Sequence, residues 1–310
     1  MQTRRIGSLR VSLVGLGCNN FGWAIDQDAT TRVVHAALDA GITLFDTADI
    51  YGGTNSEVFL GRALAGRRHQ AIVATKFGMK VDADRQGARP EYVRQAAEDS
   101  LRRLGVDCID LYQLHQPDPT VPVADTLGAL DELVRAGKVT EIGCSNFSGA
   151  QIREAAAIPR KGARFASVQN EFSLLHREPE REVLAECASL GLAFLPYFPL
   201  ASGLLTGKYR KGEPAPAGTR LAQEWAAGRF FTNERIVKAE ALAAWAGARG
   251  HSLLELAVSW LASHKAVASV IAGATSPEQV RLNASAAGWR LSDAELAEID
   301  RIAPLAAAAS

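Results

Sequence analysis

Ile42-Thr43-Leu44-Phe45-Asp46-Thr47-Ala48-Asp49-Ile50-Tyr51-Gly52-Gly53 is the stretch on which the reading of the whole chain turns. Residues 42–45 are short, mostly apolar and rich in strand formers, the composition of a buried parallel strand. Residues 56–64 then set Val58, Leu60 and Leu64 on one helical face. Asp46 therefore falls where a strand gives way to its loop, and Tyr51 lies five residues further along that loop. In a βα-barrel this end of a strand carries the chemistry. Taken alone, the stretch is equally compatible with a hydrogen-bonded loop and an incidental tyrosine.

Outward from it, the same unit repeats. Ahead lie a short hairpin (residues 3–6 and 9–12), a strand at 13–17 and a helix at 30–40. After it, strands are expected at 71–77, 108–114, 139–144, 166–169, 192–197 and 268–271. Between them come helices near 90–103, 123–136, 148–157, 180–190, 232–249 and 253–264, with two more at 277–286 and 292–302. Gly137 is a natural helix stop and Ser148 a natural cap. Eight strand-then-helix units without a linker between halves predict an α/β fold, a (β/α)8 TIM barrel with an N-terminal hairpin and extra C-terminal helices, as one domain over 1–310. A doubly wound sheet would carry a glycine-rich dinucleotide fingerprint. Gly15-Leu16-Gly17-Cys18-Asn19-Asn20 lacks its third glycine.

Composition narrows the function. The 34 basic and 34 acidic side chains cancel and are interspersed, which gives no pointer to nucleic acid or a membrane surface. Cys18, Cys108, Cys144 and Cys187 are scattered, without the spacing of a disulfide framework or zinc site. The N-terminus does not read as a signal peptide and no apolar run reaches membrane-spanning length, so a reducing cytoplasm is the expectation.

In a barrel, Asp46, Tyr51, Lys76 (end of the third strand) and His115 (end of the fourth) surround one mouth. Singly, a strand-end lysine usually snorkels and a lone histidine is usually a hydrogen-bonded core residue. Together they suit proton donation to a carbonyl oxygen while hydride reaches its carbon. A free phenol, with a pKa of roughly 10, is too weak an acid for this near neutrality. A buried cation lowers that value and a carboxylate keeps the cation charged. Tyr51 would donate, Lys76 activate, Asp46 anchor Lys76, and His115 orient the substrate oxygen and share in the proton relay.

At these residues the chain resembles the aldo-keto reductase superfamily. The likeness extends through Ala74-Thr75-Lys76, Leu114-His115, Gly143-Cys144-Ser145-Asn146-Phe147, Gln169-Asn170-Glu171, Tyr197 with Pro199-Leu200, Gly203-Leu204-Leu205-Thr206-Gly207-Lys208-Tyr209, and Gly273-Ala274 to Asn283. It implies an NADPH-dependent reductase of aldehydes or ketones, with NADH possible, whose tetrad is Asp46, Tyr51, Lys76 and His115. It further implies that Ser145, Asn146 and Gln169 bond the nicotinamide carboxamide and that Tyr197 stacks on the ring. Pro199, Leu200, Gly203, Leu204 and Lys208 would fold over the pyrophosphate. They open a long loop after the strand at 192–197, rich in Gly, Pro and Lys, on which Lys208 and Arg220 are candidate donors to a 2′-phosphate. Gly273, Ala274, Thr275, Gln279 and Asn283 would hold the adenosine end. That segment also reads independently as a helix start, a ready anion site. Phe198 stands where many relatives carry serine, and Leu282 where the family often has a glutamate on the adenine. The short stretch after the last helix implies that the long C-terminal substrate loop of some members is missing.

Trp23 and Phe77, with Phe21 and Trp225, are the apolar residues expected to line a broad aldehyde mouth. Two rivals remain open on sequence. One is a nucleotide-binding accessory barrel of the kind that serves membrane channels, against which the intact tetrad speaks. The other is an aldolase using Lys76 as a Schiff-base lysine, which Asp46 disfavours by holding the lysine charged. The natural substrate and the oligomeric state are not legible.

Overall fold

The computed structural model describes residues 1–159 and 161–306. Strands β1 (Thr3–Ile6) and β2 (Leu9–Ser12) form the expected hairpin. Eight parallel strands follow: β3 (Val14–Gly17), β4 (Leu44–Asp46), β5 (Ile72–Phe77), β6 (Ile109–Leu114), β7 (Val139–Ser145), β8 (Phe165–Glu171), β9 (Ala193–Tyr197) and β10 (Val270–Gly273). They pair in the order β10-β3-β4-β5-β6-β7-β8-β9. Phe194 closes the ring, its N–H donating to Ala266 O (2.7 Å) and its carbonyl accepting from Ala268 N (2.9 Å). This is the (β/α)8 barrel.

The helices are α1 (Gln27–Asp39), α2 (Asn55–Ala63), α3 (Pro90–Leu104), α4 (Val123–Arg135), α5 (Gly149–Ala157), α6 (Val183–Leu190), α7 (Glu224–Phe230), α8 (Asn233–Gly247), α9 (Leu253–Ser263), α10 (Pro277–Ser285) and α11 (Asp293–Ile302). Capping chemistry sets many of their starts. Ser148, Ser252 and Ser292 form reciprocal capping boxes with Gln151, Glu255 and Glu295. Helix α1 begins three residues before the expected Thr30, because Asp26 accepts from Ala29 N. The long segment after β9, expected as loop, carries helix α7.

Two apolar cores result. The larger lies between strands and helices. The smaller fills the barrel, where Leu44, Ala74, Leu111, Leu195 and Ile271 meet Ile6, Leu9 and Val11 of the hairpin. The hairpin thus plugs the N-terminal end, and Arg4 latches it by donating to the carbonyls of Ala262 (2.6 Å), His264 (3.0 Å) and Val267. Side chains alternate along a strand, so the next inward positions above Leu44, Ala74 and Leu111 are Asp46, Lys76 and Gln113. The barrel interior changes from apolar to charged within one step. Among the described residues, no helix is long and apolar enough to cross a membrane.

Candidate active site

The polar layer is centred on Lys76, which is fully buried. Its ammonium donates to Asp46 Oδ2 (2.6 Å) and to the Thr47 carbonyl (2.8 Å). It also lies 5.1 Å from the centroid of the Tyr51 ring. The Tyr51 and His115 rings meet edge to face at 5.7 Å. All four expected residues therefore converge, because adjacent strand ends β4, β5 and β6 carry three of them and the β4–α2 loop curls Tyr51 back over the mouth.

The electrostatics follow from burial and this pairing. Burial opposes the Lys76 charge, yet Asp46 and Tyr51 together outweigh it and raise its pKa. Burial pushes the Tyr51 phenol up. Lys76 pulls it down, as expected, without overcoming the burial. The net direction is thus upward, opposite to the sequence expectation, and Lys76 acts by limiting the rise. His115 is driven well below its ordinary value by burial and by Lys76. Its imidazole is neutral at physiological pH, and buried Nδ1 has no hydrogen-bond partner among the described residues. A neutral ring can donate to a substrate oxygen but is not a cationic acid in a relay.

The nicotinamide candidates adjoin this centre. Ser145 Oγ donates to the Gln169 carbonyl (2.7 Å). Asn146, at φ +62°, donates to the His115 carbonyl (2.9 Å) and to Ser145 Oγ (3.2 Å), and accepts from the Tyr197 hydroxyl (2.8 Å). Such a left-handed asparagine costs energy that its three bonds offset. Gln169 Nε2 donates to Asp46 Oδ1 (2.9 Å), tying the carboxamide candidates to the tetrad.

After β9, Phe198, Ala201 and Ser202 are all left-handed, at φ +49°, +45° and +57°. This strained turn carries Pro199, Leu200, Gly203 and Leu204, with Leu204 buried. Arg220, further on, donates to Asn20 Oδ1, and Asn20 Nδ2 donates to Ala274 O (3.4 Å), so the segment clasps the ends of β3 and β10. Beside β10, Ser276 caps α10, Asn283 Nδ2 donates to Gly273 O (3.4 Å), and Gln279 Oε1 accepts from Thr275 N (2.8 Å) and Oγ1 (3.2 Å). These residues fit an anionic dinucleotide. Ser202 Oγ and the Tyr209 hydroxyl are buried without hydrogen-bond partners among the described residues. A Cβ on Gly203 would stand 3.6 Å from that hydroxyl and 3.8 Å from Lys208 Nζ, so the missing side chain leaves an approach to donors and a cation.

The apolar mouth is smaller than expected. Trp23, on the loop after β3, is 55% exposed, but Phe77 and Phe21 are fully buried. Phe77 stacks on Tyr112 at 4.7 Å, outside the barrel. Neighbours on a strand face opposite ways, so with Lys76 inward Phe77 must point outward. The side chain of Trp225 lies outside the described ones.

Two buried polar residues near the site escaped the sequence reading. Gln113 Nε2 donates to Asp46 Oδ1 (3.3 Å), and the inward alternation of β6 was the signal that could have found it. Asp49 is buried with Oδ1 unpartnered, and Tyr92 donates to its Oδ2 (3.4 Å). Burial first, then the Glu57 carboxylate, raise Asp49 to about 7. Glu57 is itself buried between Thr75 Oγ1 (2.6 Å) and Arg103 Nε (2.6 Å). A carboxyl raised on folding contributes stability that is lost as pH rises through its folded value. Asp49→Asn should therefore stabilise the protein by on the order of 2 kcal/mol at pH above about 8, with the gain vanishing near pH 4. Urea midpoints at the two pH values check this.

The aldo/keto reductase family model matches residues 13–304. The glycerol dehydrogenase AKR11B4 from Gluconobacter oxydans shares 32% identity, with a TM-score of 0.84 over 97% of this chain and 94% of that one. The holo form of aldo-keto reductase AKR11C1 from Bacillus halodurans shares 31%, with a TM-score of 0.81 over 98% and 96%. Tetrad geometry, barrel and family match agree: the chain belongs to the aldo/keto reductase family and is an NAD(P)H-dependent oxidoreductase.

Proposed function

We propose that the protein reduces aldehydes or ketones to alcohols with NADPH, Tyr51 serving as proton donor. The observation that carries this is the buried Lys76 ammonium, held at 2.6 Å by Asp46 and lying against the Tyr51 ring. The nicotinamide, when bound, supplies hydride to the carbonyl carbon. Tyr51 gives its proton to the oxygen, and Lys76 stabilises the phenolate left behind. Asp46 keeps Lys76 protonated, and neutral His115 offers an N–H to the substrate oxygen. Trp23 walls the open side, which suits varied carbonyls. The likeness to a glycerol dehydrogenase supports placing hydroxylated carbonyls among them. NADPH consumption across a panel of aromatic, aliphatic and hydroxylated carbonyls is the test. Stoichiometric alcohol formation is expected, and NADPH binding without turnover on any member would overturn this reading of substrate and cofactor.

Preference for NADPH rests on the donors available to a 2′-phosphate. Lys208 and Arg220 lie on the segment after β9, and Thr275, Ser276 and Gln279 at the start of α10. One charge-assisted bond is worth about tenfold to a hundredfold in affinity. Residues 273–277 contain no carboxylate to favour a bare ribose hydroxyl, although Glu278 follows. The margin should be near tenfold, because Gln279 stands where some family members carry arginine. Fluorescence titration of the parent and of Lys208→Ala, Thr275→Ala and Gln279→Ala measures it. Equal or tighter NADH binding by the parent would overturn the preference, and unchanged NADPH affinity in all three variants would place the phosphate elsewhere.

A further inference from the structure

Asp46 has two carboxylate oxygens, and only Oδ2 is used by Lys76. Oδ1 accepts from two carboxamides, Gln169 Nε2 at 2.9 Å from β8 and Gln113 Nε2 at 3.3 Å from β6. Both glutamines are buried, Gln113 completely. Gln113 pairs in register with Lys76 on one side and with Gly143 on the other. A Cβ on Gly143 would lie 3.2 Å from Gln113 Cγ and 2.4 Å from Ser167 Oγ, so the glycine makes the room in which the Gln113 side chain lies. Gln113 Oε1 has no hydrogen-bond partner among the described residues. An amide buried with one end unmatched is costly unless its other end does something. Here that end faces a carboxylate, which can accept only from the nitrogen.

We propose that Gln113 is a positioning residue for the reduction, the second clamp on Asp46 that keeps its carboxylate turned toward Lys76 and so keeps the ammonium on Tyr51. Three hydrogen bonds fix both oxygens of Asp46 and remove its freedom to rotate about the Cβ–Cγ bond. Gln169 shares the clamp from the strand that also borders the nicotinamide candidates. Gln113 has no such second duty, so its removal isolates the clamp. The charged and titratable groups facing Lys76 are Asp46 from β4, Tyr51 from the following loop, His115 from the end of β6 and Cys18 from the end of β3. Of these Asp46 and Tyr51 favour the ammonium, with Asp46 the stronger, so a loosened Asp46 lets Lys76 lose its proton first as pH rises.

The inference rests on the tetrad reading, and Tyr51→Phe run alongside separates the two. In Gln113→Met, which keeps volume without a donor, kcat should fall about tenfold and the alkaline limb of its pH profile should move down by about one unit, with NADPH affinity unchanged. In Gln113→Glu the introduced carboxyl, protonated in acid, donates to Asp46 again. Its turnover should recover at low pH relative to Gln113→Met and be lost as that carboxyl ionises against Asp46. An active Tyr51→Phe enzyme would defeat the tetrad itself. With Tyr51→Phe inactive, parental pH profiles in both Gln113 variants would overturn the clamp. Loss of folded, NADPH-binding protein in both would assign Gln113 to core stability and overturn it equally.

Discussion

Tyr51→Phe is expected to fold, to bind cofactor as the parent does, and to lose kcat by about 10²–10⁴-fold, the usual contribution of general acid catalysis. The reasoning is local. The substitution removes one hydroxyl from a ring whose other contacts are the edge-to-face packing on His115 and the Lys76 ammonium beside it. The packing on His115 does not need the oxygen, and Lys76, though it loses its bond to the phenol, keeps Asp46 and the Thr47 carbonyl, so ring and loop stay in place. Steady-state turnover beside cofactor titration checks it, and retention of more than half the parental kcat would remove Tyr51 as donor.

Lys76→Met carries the second large effect, and it strikes both rate and stability. The methionine matches the lysine stem but leaves Asp46 buried with no cation. Breaking a buried ion pair by removing one partner typically costs about 3–5 kcal/mol. The Gln113 and Gln169 amides still hold Oδ1, so the cost should fall at the lower end. Turnover should fall about as far as in Tyr51→Phe, roughly 10²–10⁴-fold. Without the ammonium, burial raises the phenol unopposed and the phenolate produced by proton transfer has no counter-charge. The double variant should be little worse than either single one, because both residues serve one step. Denaturation midpoints and kcat for the three variants decide it, and additive losses would mean that the two side chains act separately.

The parts legible in the sequence were those written in period and spacing. The hairpin residues 3–6 and 9–12 and the strand ends bearing Asp46, Lys76 and His115 came from apolar runs and their turns. Convergence of the tetrad then followed from barrel order alone. Helix α7 stayed hidden because it interrupts a long polar segment with only 7 residues, too few to show a helical stripe. Phe77 was expected at the mouth although Lys76 beside it had already taken the inward face of β5. The same alternation, pursued along β6, would have turned Gln113 toward Asp46. Asp49 could not have been found that way. Its raised carboxyl depends on Glu57, Tyr92 and Arg103, brought to it from α2 and α3 by packing. The direction of the Tyr51 shift also lies beyond sequence, since it is a balance between burial and a neighbouring charge.

The most direct test of Tyr51 as the proton donor is the pH dependence of kcat in both directions, for the parent beside Tyr51→Phe. With a phenol raised by burial above the ordinary range, reduction by the parent should hold through neutrality and fall only in strong alkali, while alcohol oxidation, which needs the phenolate as base, rises over that same alkaline range. The residual activity of Tyr51→Phe should show neither limb. Both limbs surviving in Tyr51→Phe would contradict the account, because another group would then be moving the proton.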